Sequence, residues 1–329
     1  MGLSQFDIRG NENTLSAVNS MIGSGRIPHS IVIFGEKGLG KKKLASYIAA
    51  KLLCSEKEAP CGECRVCRMI ANGGHPDFIV VKPSLKSGGY KLEEDLRKVV
   101  ADSVVAPSES RYKVYLIADM DKTPSGSQNA LLKLIEEPPE HTIVILTASS
   151  KEYFLKTVLS RVTALGMAPV SRDECERYLK ENTERSGDEI KAACEAMGGN
   201  IGRCIEFFES KSLKKATVTA KDIAASIASK NEYEILRAFW SLEGDKELAL
   251  TVLSLVGELL RDAVMIKMGL DEGLVGCSRD SASALASALS VSRLSELCAL
   301  PEKYTGAILQ NSSLALCLNA IVADIKSIV

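Results

Sequence analysis

Short apolar runs alternate with helical patterns over the first half of the chain. Runs rich in β-branched residues predict buried strands at Ser30–Phe34, Asp77–Val81, Lys113–Ile117 and Thr142–Thr147. After the first run, apolar residues recur at helical spacing from Leu44 to Leu53. Because strands and helices alternate, this half predicts an α/β domain, residues 1–168, with a mainly parallel sheet covered on both faces.

The second half carries only helical patterns. A small helical segment is predicted over 169–212, and the acidic residues near its start, from Asp173 to Glu176, suit a helix N-terminus. An all-α domain is predicted over 213–329, with helices at Tyr233–Trp240, Leu248–Lys267, Leu285–Leu300 and Ser313–Val329.

A glycine-rich segment follows the first predicted strand and fits a phosphate-binding loop, G-x-x-x-x-G-K. Gly35, Gly38 and Gly40 let backbone amides surround phosphates, and Lys41 neutralises their charge. The next position requires Ser or Thr to hold Mg²⁺, but it is Lys42. An accidental surface turn is the alternative, which the strand–loop–helix context disfavours, and a true loop that binds no ATP or ADP stays open.

A second metal ligand is missing after the strand Lys113–Ile117. A P-loop enzyme carries acidic residues at such a strand end to hold Mg²⁺ and polarise water. Here the sequence reads Ala118-Asp119, so one carboxylate of the expected pair is replaced by alanine. The substitutions at 42 and 118 together predict that the chain does not hydrolyse ATP with Mg²⁺.

Four of the ten cysteines form C-x₆-C-x₂-C-x₂-C, namely Cys54, Cys61, Cys64 and Cys67. Two-residue gaps allow the thiolates to converge on one tetrahedral ion, so the cluster predicts a closed structural zinc site inserted in the α/β domain. Disulfides, an iron–sulfur cluster or replacement of one thiolate by His75 are the alternatives. The other cysteines are scattered and are interpreted as small core residues.

The bulk composition excludes few functions. A net charge of −1 with 25% charged residues gives no basic tail, so any DNA contact must come from local patches. Lys91, Arg97 and Lys98 form one such patch, although a solvated basic face balanced by Glu93, Glu94 and Asp95 explains them equally well. The apolar runs are too short to span a membrane, and no secretory signal is visible, so we expect a cytoplasmic protein.

A family resemblance rests on several motifs together. The segment Gln128–Pro139 reads Q-N-A-L-L-K-x-x-E-E-P-P, the cysteine insertion follows the P-loop, and Leu159-Ser160-Arg161 follows the next strand. Over about residues 3–210 the chain resembles the bacterial clamp-loader AAA+ family of DNA polymerase III, and most of all its delta-prime subunits. The opening segments Phe6–Glu12 and Gly25–Ser30 are similar too.

The resemblance implies a role for Arg161. In the family, a Ser-Arg-Cys tripeptide gives an arginine finger to the ATP of a neighbouring subunit, and here Ser160-Arg161-Val162 keeps the arginine. A surface arginine is the alternative. A lid arginine that reads the subunit's own ATP is replaced by Gly202, and Arg203 lies one position away. The segment 169–212 would be the lid, and 213–329 the collar that joins subunits.

The implied function is that of an ATPase-inactive stator in the DNA polymerase III clamp loader. Its partners would be gamma/tau motor and delta subunits, the sliding clamp and primed DNA. One alternative is an ATP-hydrolysing gamma/tau-like motor of the same complex. Another is a zinc-dependent interaction module that uses the same core for other DNA transactions.

Overall fold

The computed structural model describes residues 6–84, 90–91, 95–123, 125–270 and 273–329, without the side chains of 122, 125–127 and 130. Glu93 and Glu94 lie outside the described residues. The chain divides into two compact units, Met1–Ala168 and Pro169–Val329. Among the described residues, no helix has both the length and the apolar character that crossing a membrane requires.

The first unit is built on a five-stranded parallel sheet in the order β2-β3-β4-β1-β5. The strands are β1 Ser30–Phe34, β2 Phe78–Val80, β3 Lys113–Ile117, β4 Thr142–Ala148 and β5 Thr163–Gly166. All of β3 and β4 is buried, as expected for parallel strands covered on both faces. The predicted parallel α/β core is therefore confirmed, whereas β5 was not predicted.

One helix of the first unit precedes the first strand, and the other helices connect the strands. They are α1 Glu12–Gly23, α2 Lys41–Leu53, α3 Arg65–Ala71, α4 Arg97–Ser103, α5 Ser125–Glu136 and α6 Lys156–Leu159. Separate apolar clusters pack on the two faces of the sheet: Ile31 and Ile33 of β1 belong to one, and Val32 belongs to the other. This division follows from the alternation of side chains along a strand.

The sheet order brings the carboxyl ends of β1, β4 and β3 together at one edge. β1 pairs in register with β4, and β4 with β3. The glycine loop follows β1, and Ala118-Asp119 follows β3, so two segments that are far apart in the sequence meet at that edge. In parallel α/β sheets, this edge is where ligands bind.

The second unit is entirely helical in the residues that the structure describes, which confirms the predicted helical C-terminal region. Its helices are α7 Arg172–Asn182, α8 Gly187–Met197, α9 Ile201–Glu209, α10 Lys211–Ala228, α11 Glu232–Trp240, α12 Lys246–Lys267, α13 Arg279–Ala288, α14 Val291–Leu309 and α15 Leu314–Ile328.

One predicted helix of this unit is wrong. The stretch Leu285–Leu300 is not continuous: α13 ends at Ala288, and α14 begins at Val291. Ser290 caps the new helix, since its side chain accepts a hydrogen bond from the backbone N–H of Arg293. Serine suits a helix interior poorly and a cap well, so a new helix begins after Ser290.

Two apolar cores fill the second unit. The smaller lies among α7, α8 and α9, and the larger joins α10 to α15. Helix α10 contributes Leu213 to the first core and Ala216 to the second. The predicted boundary between 212 and 213 thus falls in the first turn of α10, and the division into lid and collar stays a prediction.

Candidate functional site

The glycine loop joins the buried strand β1 to helix α2 through backbone conformations that only glycine adopts easily. Gly35, Gly38 and Gly40 have φ angles of +147°, +96° and +89°. A Cβ atom on Gly35 would lie 2.6 Å from the carbonyl oxygen of Met167. Gly40 is the residue before α2, so the loop ends at a helix N-terminus, where free amides and the helix dipole favour an anion.

Lys41 lies inside this loop. Its side chain is buried, and its ammonium group donates hydrogen bonds to the carbonyl oxygens of Gly35 and, at 2.8 Å, of Glu36. Burial lowers the pKa of Lys41 from its usual range. The loop thus has the form that the sequence predicts, with its lysine contacting the loop's own backbone.

Lys42 pairs with the remaining acidic residue. Its Nζ atom lies 2.8 Å from Oδ2 of Asp119, and the two side chains are 60% and 38% exposed. Asp119 has a left-handed backbone (φ +57°), and its N–H donates to Oγ1 of Thr147 on β4. The carboxylate that would face a Mg²⁺ ion in an ATPase therefore faces an ammonium group from the same chain.

Ala118 stands where the other carboxylate of the acidic pair is expected. It is buried and has no side-chain oxygen to bind a metal. Its backbone N–H donates to the hydroxyl of Tyr90 at 3.0 Å, and that hydroxyl donates to the carbonyl oxygen of Val81. Burial raises the pKa of Tyr90 to about 12, so the phenol stays protonated in this role.

In the second unit, Arg203 is also paired with an acidic residue of the same chain. Its guanidinium lies 3.0 Å from Oε1 of Glu258 on α12, and both side chains are mostly buried. Arg203 is thus committed to an ion pair within the helical unit. Gly202, where the family's lid arginine is expected, lies in the first turn of α9.

The four predicted zinc ligands converge. Cys54 ends α2, and Cys61, Cys64 and Cys67 lie before and within the start of α3. The sulfur–sulfur distances are 3.8 Å for Cys54–Cys61, 3.8 Å for Cys54–Cys64 and 3.9 Å for Cys61–Cys67. A tetrahedron with zinc–sulfur bonds of about 2.3 Å has edges of about 3.8 Å, so the four thiols fit a tetrahedral zinc ion.

Backbone amides support these sulfur atoms. The N–H of Cys64 donates to the sulfur of Cys61 at 3.3 Å, and the N–H of Cys67 donates to that of Cys64 at 3.4 Å. The first of these hydrogen bonds is the main reason that the pKa of Cys61 is lowered to about 7. Burial raises the pKa of Cys64 and Cys67. Gly62, with φ +76°, forms the tight turn between the ligands.

The insertion is tied to the sheet by a network that does not involve the sulfur atoms. Arg65 of α3 lies 3.1 Å from Glu109, whose other oxygen is 3.4 Å from Nε2 of the buried His75. Nδ1 of His75 accepts a hydrogen bond from the N–H of Asp77. The ligand atoms that come together here are the four thiols, so His75 serves this network and is not grouped with them.

Asp77 anchors the segment before β3. Its buried carboxylate accepts hydrogen bonds from the N–H groups of Ser108, Glu109 and Ser110 at 2.6, 2.9 and 2.9 Å. Burial alone would raise the pKa of Asp77, but these hydrogen bonds outweigh it, and the pKa is lowered.

Arg161 follows the short helix α6 and is exposed. Its Nε atom lies 2.9 Å from a carboxylate oxygen of Glu136, and Nη1 donates to the carbonyl oxygen of Thr157 and to the hydroxyl of Ser160. Glu136 is the last residue of α5, which carries the family motif from Gln128 onward and is called the motif helix below. This helix therefore contacts the predicted finger directly.

The same motif helix holds the segment before α6. The amide of the buried Gln128 donates to the carbonyl oxygen of Tyr153 at 2.9 Å and accepts from the N–H of Leu155 at 3.3 Å. Gln128 and Glu136 therefore fix both sides of the segment that carries Arg161.

The basic patch is only partly helical. Lys91 precedes the helix, contrary to the sequence interpretation, and its N–H donates to Asp95. Arg97 and Lys98 are exposed in the first turn of α4. Contact with DNA at these residues stays a prediction.

Sequence reasoning missed a second group of thiols. Cys175, Cys194 and Cys204 are buried, as predicted, but their sulfur atoms also lie within 4.8 Å of one another. Their separation along the chain follows no metal-site spacing, so no local signal reveals the group.

Comparison with known proteins relates the first unit to subunits of DNA polymerase III. The family described as "DNA polymerase III, delta subunit" matches residues 10–171. The gamma subunit of Buchnera aphidicola from Schizaphis graminum is 27% identical, over 77% of this chain and 71% of that protein. The tau subunit of Escherichia coli K12 is 32% identical, over 56% of this chain and 29% of its own length.

A solved structure also aligns with this chain. A DNA polymerase III gamma subunit-related protein from Thermotoga maritima aligns over 94% of this chain and 98% of that one, with 15% identity and a TM-score of 0.40. The sequence similarity to delta, gamma and tau proteins does not distinguish among these kinds of subunit.

Proposed function

We propose that this chain is a clamp-loader subunit of DNA polymerase III that does not hydrolyse ATP. In this proposal it is a delta-prime-like stator, which gives Arg161 to ATP bound by a neighbouring gamma/tau motor subunit. It works with the delta subunit when the sliding clamp is placed on primed DNA. Its own zinc ion, held by the four clustered cysteines, has a structural role.

The ion pair between Lys42 and Asp119 carries this proposal. Hydrolysis by a P-loop protein needs Mg²⁺ between the loop and the acidic strand end. Here Lys42 replaces one metal ligand and pairs at 2.8 Å with the remaining acidic one. Ala118 and Gly202 remove further groups that an ATPase of this family uses. Nucleotide binding without hydrolysis is compatible with the loop, because its amides and Lys41 remain in place.

Arg161 suits the role of a finger because its side chain is exposed. Its guanidinium contacts Glu136, Thr157 and Ser160 through Nε and Nη1. A guanidinium is always charged and binds phosphate oxygens in a fixed geometry. The pair with Glu136 is about half exposed, so its exchange for a phosphate costs about 1 kcal/mol or less.

The alternative is an ATP-hydrolysing motor of the gamma/tau kind. The names of the similar proteins favour it, because the relatives above are gamma and tau subunits. The alternative requires Mg²⁺ to bind in spite of Lys42, and it predicts that the isolated chain turns over ATP.

The test is the ATPase activity of a clamp loader reconstituted from motor, delta and this chain, with clamp and primed DNA. We expect no turnover by the isolated chain. Arg161→Ala should lower turnover at the site that it completes by about 10³-fold or more, as loss of an arginine finger does. Glu136→Gln is the matched control: it removes the partner but leaves the guanidinium, so turnover should change less than about 5-fold.

The outcomes separate the two functions. Turnover by the isolated chain would favour the motor and refute the interpretation of Lys42. Unchanged turnover in the Arg161→Ala complex, with assembly intact by gel filtration, would refute the finger.

A further inference from the structure

Three cysteines from three different helices meet in the smaller core of the helical unit. Cys175 lies on α7, Cys194 on α8 and Cys204 on α9, and each is at most 1% exposed. All three sulfur atoms lie within 4.8 Å of one another, and those of Cys175 and Cys204 are 3.7 Å apart. In the described part of the chain, these three ligand atoms form the whole group.

These thiols contact one another and do not simply fill space. Hydrogen bonds from Cys175 and Cys204 are the main reason that the pKa of Cys194 is lowered to about 4. The pKa of Cys175 is raised to about 12, chiefly by its hydrogen bond with Cys194. Cys277, also fully buried, has a pKa that is raised to about 11 chiefly by burial, with no contribution from another cysteine side chain. Three buried thiols this close together form a set of soft metal ligands.

We propose that Cys175, Cys194 and Cys204 form a three-coordinate site for a soft divalent metal ion. Three sulfur atoms at the zinc–sulfur distance of about 2.3 Å from a central ion lie about 4 Å apart in a plane, and a larger ion widens this spacing. Here one pair is 3.7 Å apart, and all three sulfur atoms lie within 4.8 Å of one another. Structural zinc takes four ligands, and the group offers three, so ions such as Cd²⁺ that accept three sulfur ligands fit best.

The charge of the ion follows from the burial of the site. Three thiolates with a divalent ion leave one net negative charge, whereas a monovalent ion such as Cu(I) would leave two, and buried charge is costly. Arg172 and Lys180 both act on Cys194 and offset one negative charge. Each thiol that binds the ion as a thiolate releases its proton, and no electrons are transferred.

Such an ion would cross-link all three helices of this core. Because the sulfur atoms are buried, the ion enters only when the helices open locally, so exchange with chelators should be slow. The site would then stabilise the helical unit in the bound state.

The experiment uses the full reduced chain and Cd²⁺ as the probe, followed by cadmium NMR and the ultraviolet charge-transfer absorption of cadmium thiolates. We expect two cadmium resonances, one from a four-sulfur and one from a three-sulfur environment. Cys204→Ala should lose the second and keep the first. Cys277→Ala, a matched change at a buried cysteine outside the group, should keep both.

A second variant guards against misfolding. Cys194→Ser keeps the size of the side chain, and circular dichroism checks its helix content. The thermal midpoint of the wild-type chain should rise when Cd²⁺ is added beyond the first equivalent, and this rise should vanish in Cys194→Ser. A single resonance in the wild-type chain, or a second resonance that survives in the folded Cys194→Ser chain, would overturn the proposal.

Discussion

Replacing Lys42 by threonine restores the residue type that P-loop enzymes use to hold Mg²⁺. It also removes the ammonium group that lies 2.8 Å from Asp119. We expect the wild-type chain to bind nucleotide equally well with Mg²⁺ or with EDTA. The Lys42→Thr chain should bind more tightly with Mg²⁺, since Asp119 becomes free to contact the metal.

The size of the effect follows from charge repulsion. An ion held about 2.1 Å from Oδ2 of Asp119, which lies 2.8 Å from the Lys42 ammonium, would be at most about 5 Å from that ammonium and about 4 Å from it in a bent arrangement. A charge of +1 and a charge of +2 at that distance repel by about 2 kcal/mol in water and by about 8 kcal/mol at an effective dielectric constant of about 20. Because the Lys42 side chain is 60% exposed, the lower value applies. The penalty is then about 30-fold in affinity for Mg²⁺–nucleotide.

The assay is a titration with a fluorescent ADP analogue, in excess Mg²⁺ and in EDTA. Lys37→Thr is the matched control, because it removes the same charge from an exposed position of the loop. The quantity of interest is the ratio of the two dissociation constants for each chain. It should be near one for the wild type and for Lys37→Thr, and should rise about 30-fold for Lys42→Thr.

Two results would refute this reasoning. If the wild-type chain binds Mg²⁺–ADP far better than ADP alone, the metal coexists with Lys42. If Lys37→Thr gains as much as Lys42→Thr, the effect belongs to loop charge in general. Stability offers an internal check: the exposed pair contributes about 1 kcal/mol or less, so the variant should melt near the wild-type temperature.

Asp77→Asn should destabilise the first unit by about 3 kcal/mol in chemical denaturation, because it weakens charge-assisted hydrogen bonds from three backbone N–H groups, while the exposed Asp222→Asn should change little. Because the pKa of Asp77 is lowered, its contribution to stability is present above the unfolded pKa of about 3.9 and is lost as the pH falls through the folded value. The difference in unfolding free energy between the wild type and Asp77→Asn should therefore shrink in acid. A difference that stays constant with pH would contradict this account. Cys61→Ser should abolish zinc binding at the four-cysteine site and make the segment 54–67 sensitive to protease, whereas Cys298→Ser should do neither; full zinc content in Cys61→Ser would contradict the assignment.

The sequence predicts those features that depend on neighbours along the chain. Strand β1 and the zinc ligands are local patterns: a continuous apolar run, and thiols spaced within a segment of a few turns. Strand β5 is too short and too mixed for this signal, since only Leu165 of its four residues is buried. The break at Ser290 was missed because serine occurs in helices as well as at their caps.

Contacts between distant segments are beyond such patterns. Lys42 and Asp119 are 77 residues apart. They meet because β1 and β3, which precede them, lie on either side of β4 in the sheet. The thiols of Cys175, Cys194 and Cys204 meet only because three helices pack with those faces inward. The residue types could be read from the sequence, but the sheet order and helix packing that join them could not.

The distribution of kept and lost residues argues for a stator and against a motor. The positions that would serve the chain's own nucleotide have changed, at Lys42, Ala118 and Gly202. The motif helix α5, by contrast, uses Gln128 to hold the segment before α6 and Glu136 to hold Arg161. In the proposed function, the similarity to gamma and tau proteins comes from the shared scaffold, because overall identity counts scaffold residues far more than the few that contact a metal. The motif helix would then belong to the machinery for a neighbour's ATP, and the proposed role of the chain depends on Arg161.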